Sequence, residues 1–118
     1  DALLVLGTSL SGEEIENLHR VDIPLVIVGG PVPGCRSVGI DDYAAAALAT
    51  DHLISLGHRQ IALLHGDDEP ERNLEVPRAR IRAYEDSVAN AGLRANQEWV
   101  RSGDFTVRSG QRALVSLW

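Results

Sequence analysis

Several residues of this 118-residue chain carry side chains that could do chemistry. Three histidines, His52, His58 and His65, stand six and seven residues apart. Imidazole is a common zinc ligand, but zinc sites draw their ligands from tighter, recurring spacings. Spread over a helix, a turn and a strand, these three read as locally hydrogen-bonded side chains, so no metal is expected. Asp67, Asp68, Glu69 and Glu71 form an acid cluster, but runs of this kind are ordinarily solvated loops. Cys35 stands alone in a Gly-Pro loop. A reactive thiol needs a basic neighbour, and none is identifiable from sequence, so Cys35 is read as inert. Gly29-Gly30-Pro31-Val32-Pro33-Gly34 is glycine-rich, yet its prolines and the lack of an immediately following helix spoil it as a dinucleotide loop. No Gly-x-Ser-x-Gly elbow and no Gly-Lys-Ser/Thr phosphate loop is present.

Arg80 and Phe105 are the more informative pair. Arg80 falls in what reads as the first turn of a helix after a strand-end loop. Its guanidinium offers a fixed fork of donors suited to hydroxyls or carboxylates. Phe105, the only phenylalanine, lies between Asp104 and Thr106 just after a strand, where its ring could stack on a ligand face. A surface arginine and a core ring are the plainer alternatives.

The elements that must position these residues follow from periodicity. Ala2 to Leu6 and Ile23 to Val28 are short all-apolar runs, as expected of strands covered on both faces. Between them Ser11 and Glu14 have the spacing of a capping box, opening a helix whose stripe is Ile15 and Leu18. Ser37 to Ile40 is a short extended segment, and Asp41 or Asp42 can cap the next helix. That helix presents Ala45, Leu48, Ala49, His52, Leu53 and Leu56 at helical spacing and stops at Gly57. Ile61 to Leu64 is a buried strand. Pro77 suits the first turn of a further helix whose face is Ile81, Tyr84, Val88 and Ala91, with Gly92 as its stop. Trp99-Val100 is a short strand, and Thr106 or Ser109 begins a last helix. The order is that of an α/β protein with parallel sheets flanked by helices. In such sheets ligands bind beyond the carboxyl ends of the strands. Four of these ends are polar or glycine-rich: Gly7-Thr8-Ser9, Gly29-Gly30, His65-Gly66-Asp67-Asp68 and Gly103-Asp104-Phe105.

Bulk properties narrow the classes of function. The chain is 44% hydrophobic and 24% charged, ordinary for a globular domain. No apolar run reaches the length of a membrane span, so no membrane role is expected. One cysteine allows no internal disulfide. A net charge of -6 makes these residues a poor nucleic-acid-binding surface on their own. There is no methionine, the first residues read as a buried strand and the last stop inside an apolar helical pattern, so both ends look cut from something larger.

Taken together, the motifs resemble the LacI/GalR family of bacterial regulators. The resemblance rests on Ser37-Val38-Gly39-Ile40-Asp41-Asp42, on Ala49-Thr50-Asp51-His52-Leu53-Ile54-Ser55-Leu56-Gly57-His58-Arg59-Gln60-Ile61-Ala62, on Arg80-x-x-Ala83-Tyr84 with Ala91-Gly92-Leu93, and on Gly103-Asp104-Phe105-Thr106 with Ser109-Gly110. It runs through the whole chain in the family's order. The Leu-Gly-His-Arg-x-Ile-Ala block is the most specific part.

The resemblance implies a fragment of a two-lobed, periplasmic-binding-protein-like (type I) fold. Residues 1–40 would be the later part of the N-terminal lobe and 41–118 the first part of the C-terminal lobe, with the DNA-binding headpiece outside this chain. It implies a cytoplasmic, homodimeric transcriptional repressor whose small, sugar-like effector binds between the lobes. Operator DNA would be contacted only through the headpiece, and neither catalysis nor a cofactor is implied. Arg80 matches the family's effector-contacting arginine and Phe105 its stacking aromatic. Arg72 corresponds to a second loop contact, and Thr8 lies where a first-lobe strand end faces the cleft. Gly29 stands where many sugar-responsive members have an acid, and Ala83 replaces the usual glycine. The alternative is a periplasmic sugar-binding protein of a transport system, which an upstream signal peptide would identify; an enzyme of doubly wound fold would need a nucleophile or cofactor motif elsewhere.

Overall fold

Short apolar runs form the first two strands, the later strands are more polar, and helices alternate with strands along most of the chain. The computed structural model describes residues 1–6, 11–21, 23–29, 31–32, 34–66 and 75–117. The elements are β1 (Leu3–Leu6), α1 (Gly12–His19), β2 (Leu25–Val28), β3 (Arg36–Val38), α2 (Asp42–Ser55), β4 (Leu63–Gly66), α3 (Glu75–Asn90), a 3₁₀ turn (Gln97–Trp99), β5 (Val100–Gly103) and α4 (Val107–Val115). This is the order that the periodicity predicts. The elements form two compact units, one built on β1 to β3 and the other on α2 to α4.

In the first unit β1, β2 and β3 pair side by side, all parallel, with Leu3 opposite Leu25 and Val26 opposite Arg36. Its core is Ile27 and Val32, with Val5, Ile15, Leu18, Leu25 and Cys35 packed around them. The expected stripe of α1 therefore does face a core. Burying a side chain the size of isoleucine stabilises by about 1.5–3 kcal/mol. The capping box of α1 is complete: the Ser11 N–H donates to Glu14 Oε2 at 2.8 Å, and the Glu14 N–H donates to Ser11 Oγ at 3.3 Å.

In the second unit β4 pairs with β5, again parallel, from Leu63 opposite Val100 to Gly66 opposite Gly103. Ile61, Tyr84 and Val88 are its buried cluster, joined by Ile54, Leu63, Leu93 and Val100. Tyr84 donates its hydroxyl proton to the Ile61 carbonyl at 2.7 Å. Burial, followed by the charge of Glu85, holds the Tyr84 pKa above that of a free tyrosine. Both long helices end as their glycines predict. His58 N–H bonds to Leu53 O and Gly57 N–H to Ile54 O, with Gly57 at φ 94. Leu93 N–H bonds to Val88 O and Gly92 N–H to Ala89 O, with Gly92 at φ 69. These are Schellman stops, which need a residue in the left-handed region.

The first strand, expected to be covered on both faces, leaves Leu3, Leu4 and Leu6 exposed, and three further expectations are corrected. The face of α2 is the first: Leu48 is 73% exposed and Leu56 is also exposed, whereas Thr50 is buried and Ala46, Ala47 and Ile54 are half-buried. Residues 43–49 of α2 are apolar on every side, so periodicity cannot choose which side turns inward. The fourth strand starts at Leu63 rather than Ile61, because pairing with β5 begins there and the Ile61 carbonyl is taken by Tyr84. Helix α3 begins at Glu75, which puts Arg80 in its second turn rather than its first. The face of α3 is as expected at Tyr84 and Val88, and Ala83 and Ser87 are buried beside them.

Candidate functional site

The carboxyl ends of β4 and β5 carry a pair of glycines, Gly66 opposite Gly103. The missing side chains leave room that two neighbours occupy. A Cβ on Gly66 would overlap the ring of Phe105, and a Cβ on Gly103 would sit 2.9 Å from Ser109 Oγ. Phe105 thus lays its ring over the end of β4 while 79% of the residue stays exposed. Its φ is 62, the single positive φ of a non-glycine among the described residues. A bulky residue in this region is strained, and such strain persists only where the surroundings impose it.

The surroundings here are hydrogen bonds on both sides of the ring. The Thr106 N–H and hydroxyl both donate to Asp104 Oδ1, at 3.0 and 2.6 Å. The Asp104 N–H donates to Ser109 Oγ at 3.1 Å, and that hydroxyl donates to the Thr106 carbonyl at 2.9 Å. Thr106 is also the N-cap of α4, accepting from the Ser109 N–H at 3.2 Å. The Ser109 side chain, then the hydroxyl and N–H of Thr106, favour the Asp104 carboxylate and lower its pKa to about 2. The turn is therefore closed by a fully ionised acid at neutral pH, and the aromatic ring at its tip is presented rather than buried.

Arg80 lies on α3 and is half-exposed. Its Nε donates to Asp42 Oδ1 at 2.8 Å, and its Nη2 is 2.6 Å from the same oxygen. Asp42 is the first residue of α2, and its side chain is only 11% exposed. One residue on, Tyr43 donates its hydroxyl proton to Asp86 Oδ2 at 2.7 Å, which raises the Tyr43 pKa. Two consecutive residues of α2 thus bind α3 at positions 80 and 86.

Gly29 ends β2 in the first unit, where its N–H continues the pairing to the Val38 carbonyl at 2.9 Å. Its φ is 144, and a Cβ on Gly39 would run into its carbonyl. Thr8, Arg72 and the acids Asp67, Asp68, Glu69 and Glu71 lie outside the described residues. His52 and His58 are exposed, and His65 Nδ1 lies 2.6 Å from the Gly66 carbonyl. Cys35 does have a basic neighbour, contrary to the sequence reading: His19 Nε2 is 3.3 Å from its sulfur. The two residues are sixteen positions apart, so only folding of α1 against the loop could bring them together. Among the described residues no group of His, Cys, Asp or Glu could hold a metal ion, and no helix is long and apolar enough to cross a membrane.

Sequence reasoning missed Asp42 as the partner of Arg80 and the support given to Phe105 by Asp104 and Ser109. The second had a legible signal. Asp-x-Thr-x-x-Ser has the spacing of an Asx turn running into a helix cap. The first had none, since a first-turn acid is accounted for by the helix dipole alone.

Comparison with known proteins gives these features a setting. The repressor PurR of Aliivibrio fischeri (strain MJ11), a helix-turn-helix transcriptional repressor, is 32% identical over 117 residues, which are 97% of this chain and 34% of that protein. The chain therefore spans about a third of the length of such relatives. A transcription regulator from Lactobacillus plantarum superposes with a TM-score of 0.83 at 28% identity, covering 98% of this chain and 43% of that one. The complex of the transcriptional regulator CelR with cellobiose does so with a TM-score of 0.80 at 29% identity, covering 99% of this chain and 36% of that one. The match to the family itself extends over residues 1–118, from β1 through the Phe105 turn to the end of α4, and the chain belongs to the periplasmic binding proteins and sugar binding domain of the LacI family.

Proposed function

We propose that this chain is the effector-sensing part of a DNA-binding transcriptional repressor. The observation that carries the reading is Phe105: an exposed ring, held in a strained conformation over Gly66 at the carboxyl end of a parallel sheet. Parallel sheets bind ligands at that end. A flat apolar ring suits the face of a sugar or a related cyclic metabolite. Arg80 supplies the hydrogen-bonding fork, and Arg72 and Thr8 are further contacts. CelR, similar over nearly the whole chain, is a regulator in complex with cellobiose. Gly29 offers no carboxylate for sugar hydroxyls, so the polar contacts fall to the other residues.

In this reading residues 1–40 belong to the N-terminal lobe of the sensor and residues 41–118 to the C-terminal lobe. The effector binds to this sensor. It binds one lobe arrangement more tightly than the other, and that difference in affinity is the whole of its influence on DNA binding. A net charge of -6 makes these residues a poor operator-binding surface on their own, so in this reading operator contact belongs to a separate headpiece. The protein works as a cytoplasmic homodimer and performs no catalysis.

The test uses the full-length protein. Operator binding is followed while sugars, sugar phosphates and nucleobases are titrated in. One of these classes should shift operator affinity by ten-fold or more, the range of ordinary allosteric coupling. Absence of operator binding under every condition would overturn the proposal.

A further inference from the structure

Among the described residues, Arg80 is held through one edge of its guanidinium. Its Nε and Nη2 both meet Asp42 Oδ1, at 2.8 and 2.6 Å. These two nitrogens form the side edge of the guanidinium, and the Nη1 end takes no part in this contact. The two partners are environmentally unequal. The Asp42 side chain is 11% exposed, whereas that of Arg80 is 51% exposed. A nearly buried carboxylate anchored at the start of a helix is therefore gripping a solvent-facing guanidinium. Because Arg side chains are long and rotamer-rich, an unanchored Arg80 would sample many directions, and a ligand would have to order it on binding.

We propose that Asp42 is a positioning residue: it orients Arg80 so that the Nη1 end of the guanidinium is presented to the effector. The proposal rests on the reading of Arg80 as an effector contact. Asp42 touches no effector itself. Its charge fixes the side edge, and what it contributes to affinity is the ordering that a ligand would otherwise have to impose. The negative charge also suits the N-terminus of α2, but that role alone asks nothing of Arg80.

Asp42→Asn separates the two roles, because asparagine serves well at a helix start while removing the charge. Helix α2 remains tied to α3 through Tyr43 and Asp86, so the variant keeps its fold. Three measurements on the full-length protein decide the matter. In 15N–1H spectra the Arg80 Nε–H signal should be slow to exchange in the parent, lost in Asp42→Asn and regained in Asp42→Glu. Phenylglyoxal should modify Arg80 several-fold faster in Asp42→Asn than in the parent, as followed by peptide mass. Finally, cellobiose, glucose 6-phosphate and adenine are titrated in. The affinity for whichever binds should fall by roughly ten-fold in Asp42→Asn, the lower end of what losing an orienting partner costs at metal sites, and recover in Asp42→Glu. An unchanged Nε–H signal and phenylglyoxal rate in Asp42→Asn, or an unchanged ligand affinity, would overturn the proposal. If none of the three compounds binds the parent while the two arginine measurements behave as expected, Asp42 does orient Arg80, and the effector reading of this site is what fails.

Discussion

The ring of Phe105 occupies the space in which a side chain on Gly66 would lie. Together they explain each other: glycine at the end of β4 makes room for the ring, and the turn after β5 holds the ring there at φ 62. Phe105→Leu should therefore remove a ring-current shift from the Gly66 α-protons, measured by NMR in the absence of any ligand. Unchanged Gly66 shifts would contradict the arrangement.

The strain at Phe105 predicts an inverted order of stability. Glycine populates the left-handed region freely, whereas alanine does not. With the side chain largely exposed, little burial is lost in either variant. Phe105→Gly should be more stable than Phe105→Ala by about 1 kcal/mol in urea unfolding, the cost of holding a side chain at positive φ. Both should lose effector response, since both remove the ring.

Asp104 gives the turn a defined acid sensitivity. Its folded-state pKa is about 2, below the ordinary 3.8, because the Ser109 and Thr106 hydrogen bonds favour the carboxylate. A depressed folded pKa stabilises the fold above the unfolded value, and that stability is lost as pH falls from about 4 towards 2. The side-chain carboxyl 13C signal of Asp104 should titrate near pH 2. In Asp104→Asn the unfolding midpoint should depend less steeply on pH across that interval, and a parallel dependence in both proteins would rule out the role given to this carboxylate.

Tyr84 joins α3 to the segment just before β4 through one buried hydrogen bond. Tyr84→Phe keeps the ring and leaves the Ile61 carbonyl without its donor. A buried acceptor left unpaired costs about 1–3 kcal/mol, so chemical denaturation should show a loss in that range. A loss under about 0.5 kcal/mol, the size of an ordinary surface change, would mean that water replaces the hydroxyl.

In the proposed reading, Gly29 bears on ligand choice. Placing an acid there, as Gly29→Asp, would put a side chain at φ 144, a region essentially confined to glycine. The variant should lose about 1–3 kcal/mol of stability by thermal melting, and sugar binding should not improve, because the backbone must first move. Improved sugar affinity at unchanged stability would refute this.

Much of the architecture is legible in the residues alone, for a physical reason. Capping at Ser11 and Glu14, Schellman stops at Gly57 and Gly92 and the N-cap at Thr106 are local rules, satisfied within a few residues of chain. Element order follows from them. Apolar runs likewise read as strands because their neighbours do not need to be known. Phe105 and Arg80 are identifiable as residues of interest from their types and from the strand ends they follow. What required tertiary structure is every property that depends on a partner distant in sequence. The inward face of α2 is decided by packing around Ile61, Tyr84 and Val88, since an apolar helix has no unique stripe of its own. The pairing of Arg80 with Asp42 spans thirty-eight residues, that of Cys35 with His19 sixteen. The positive φ of Phe105 comes from a ring of hydrogen bonds that composition does not display. Local chemistry decides where helices begin and end, and only the folded packing decides which side chains are left facing a ligand.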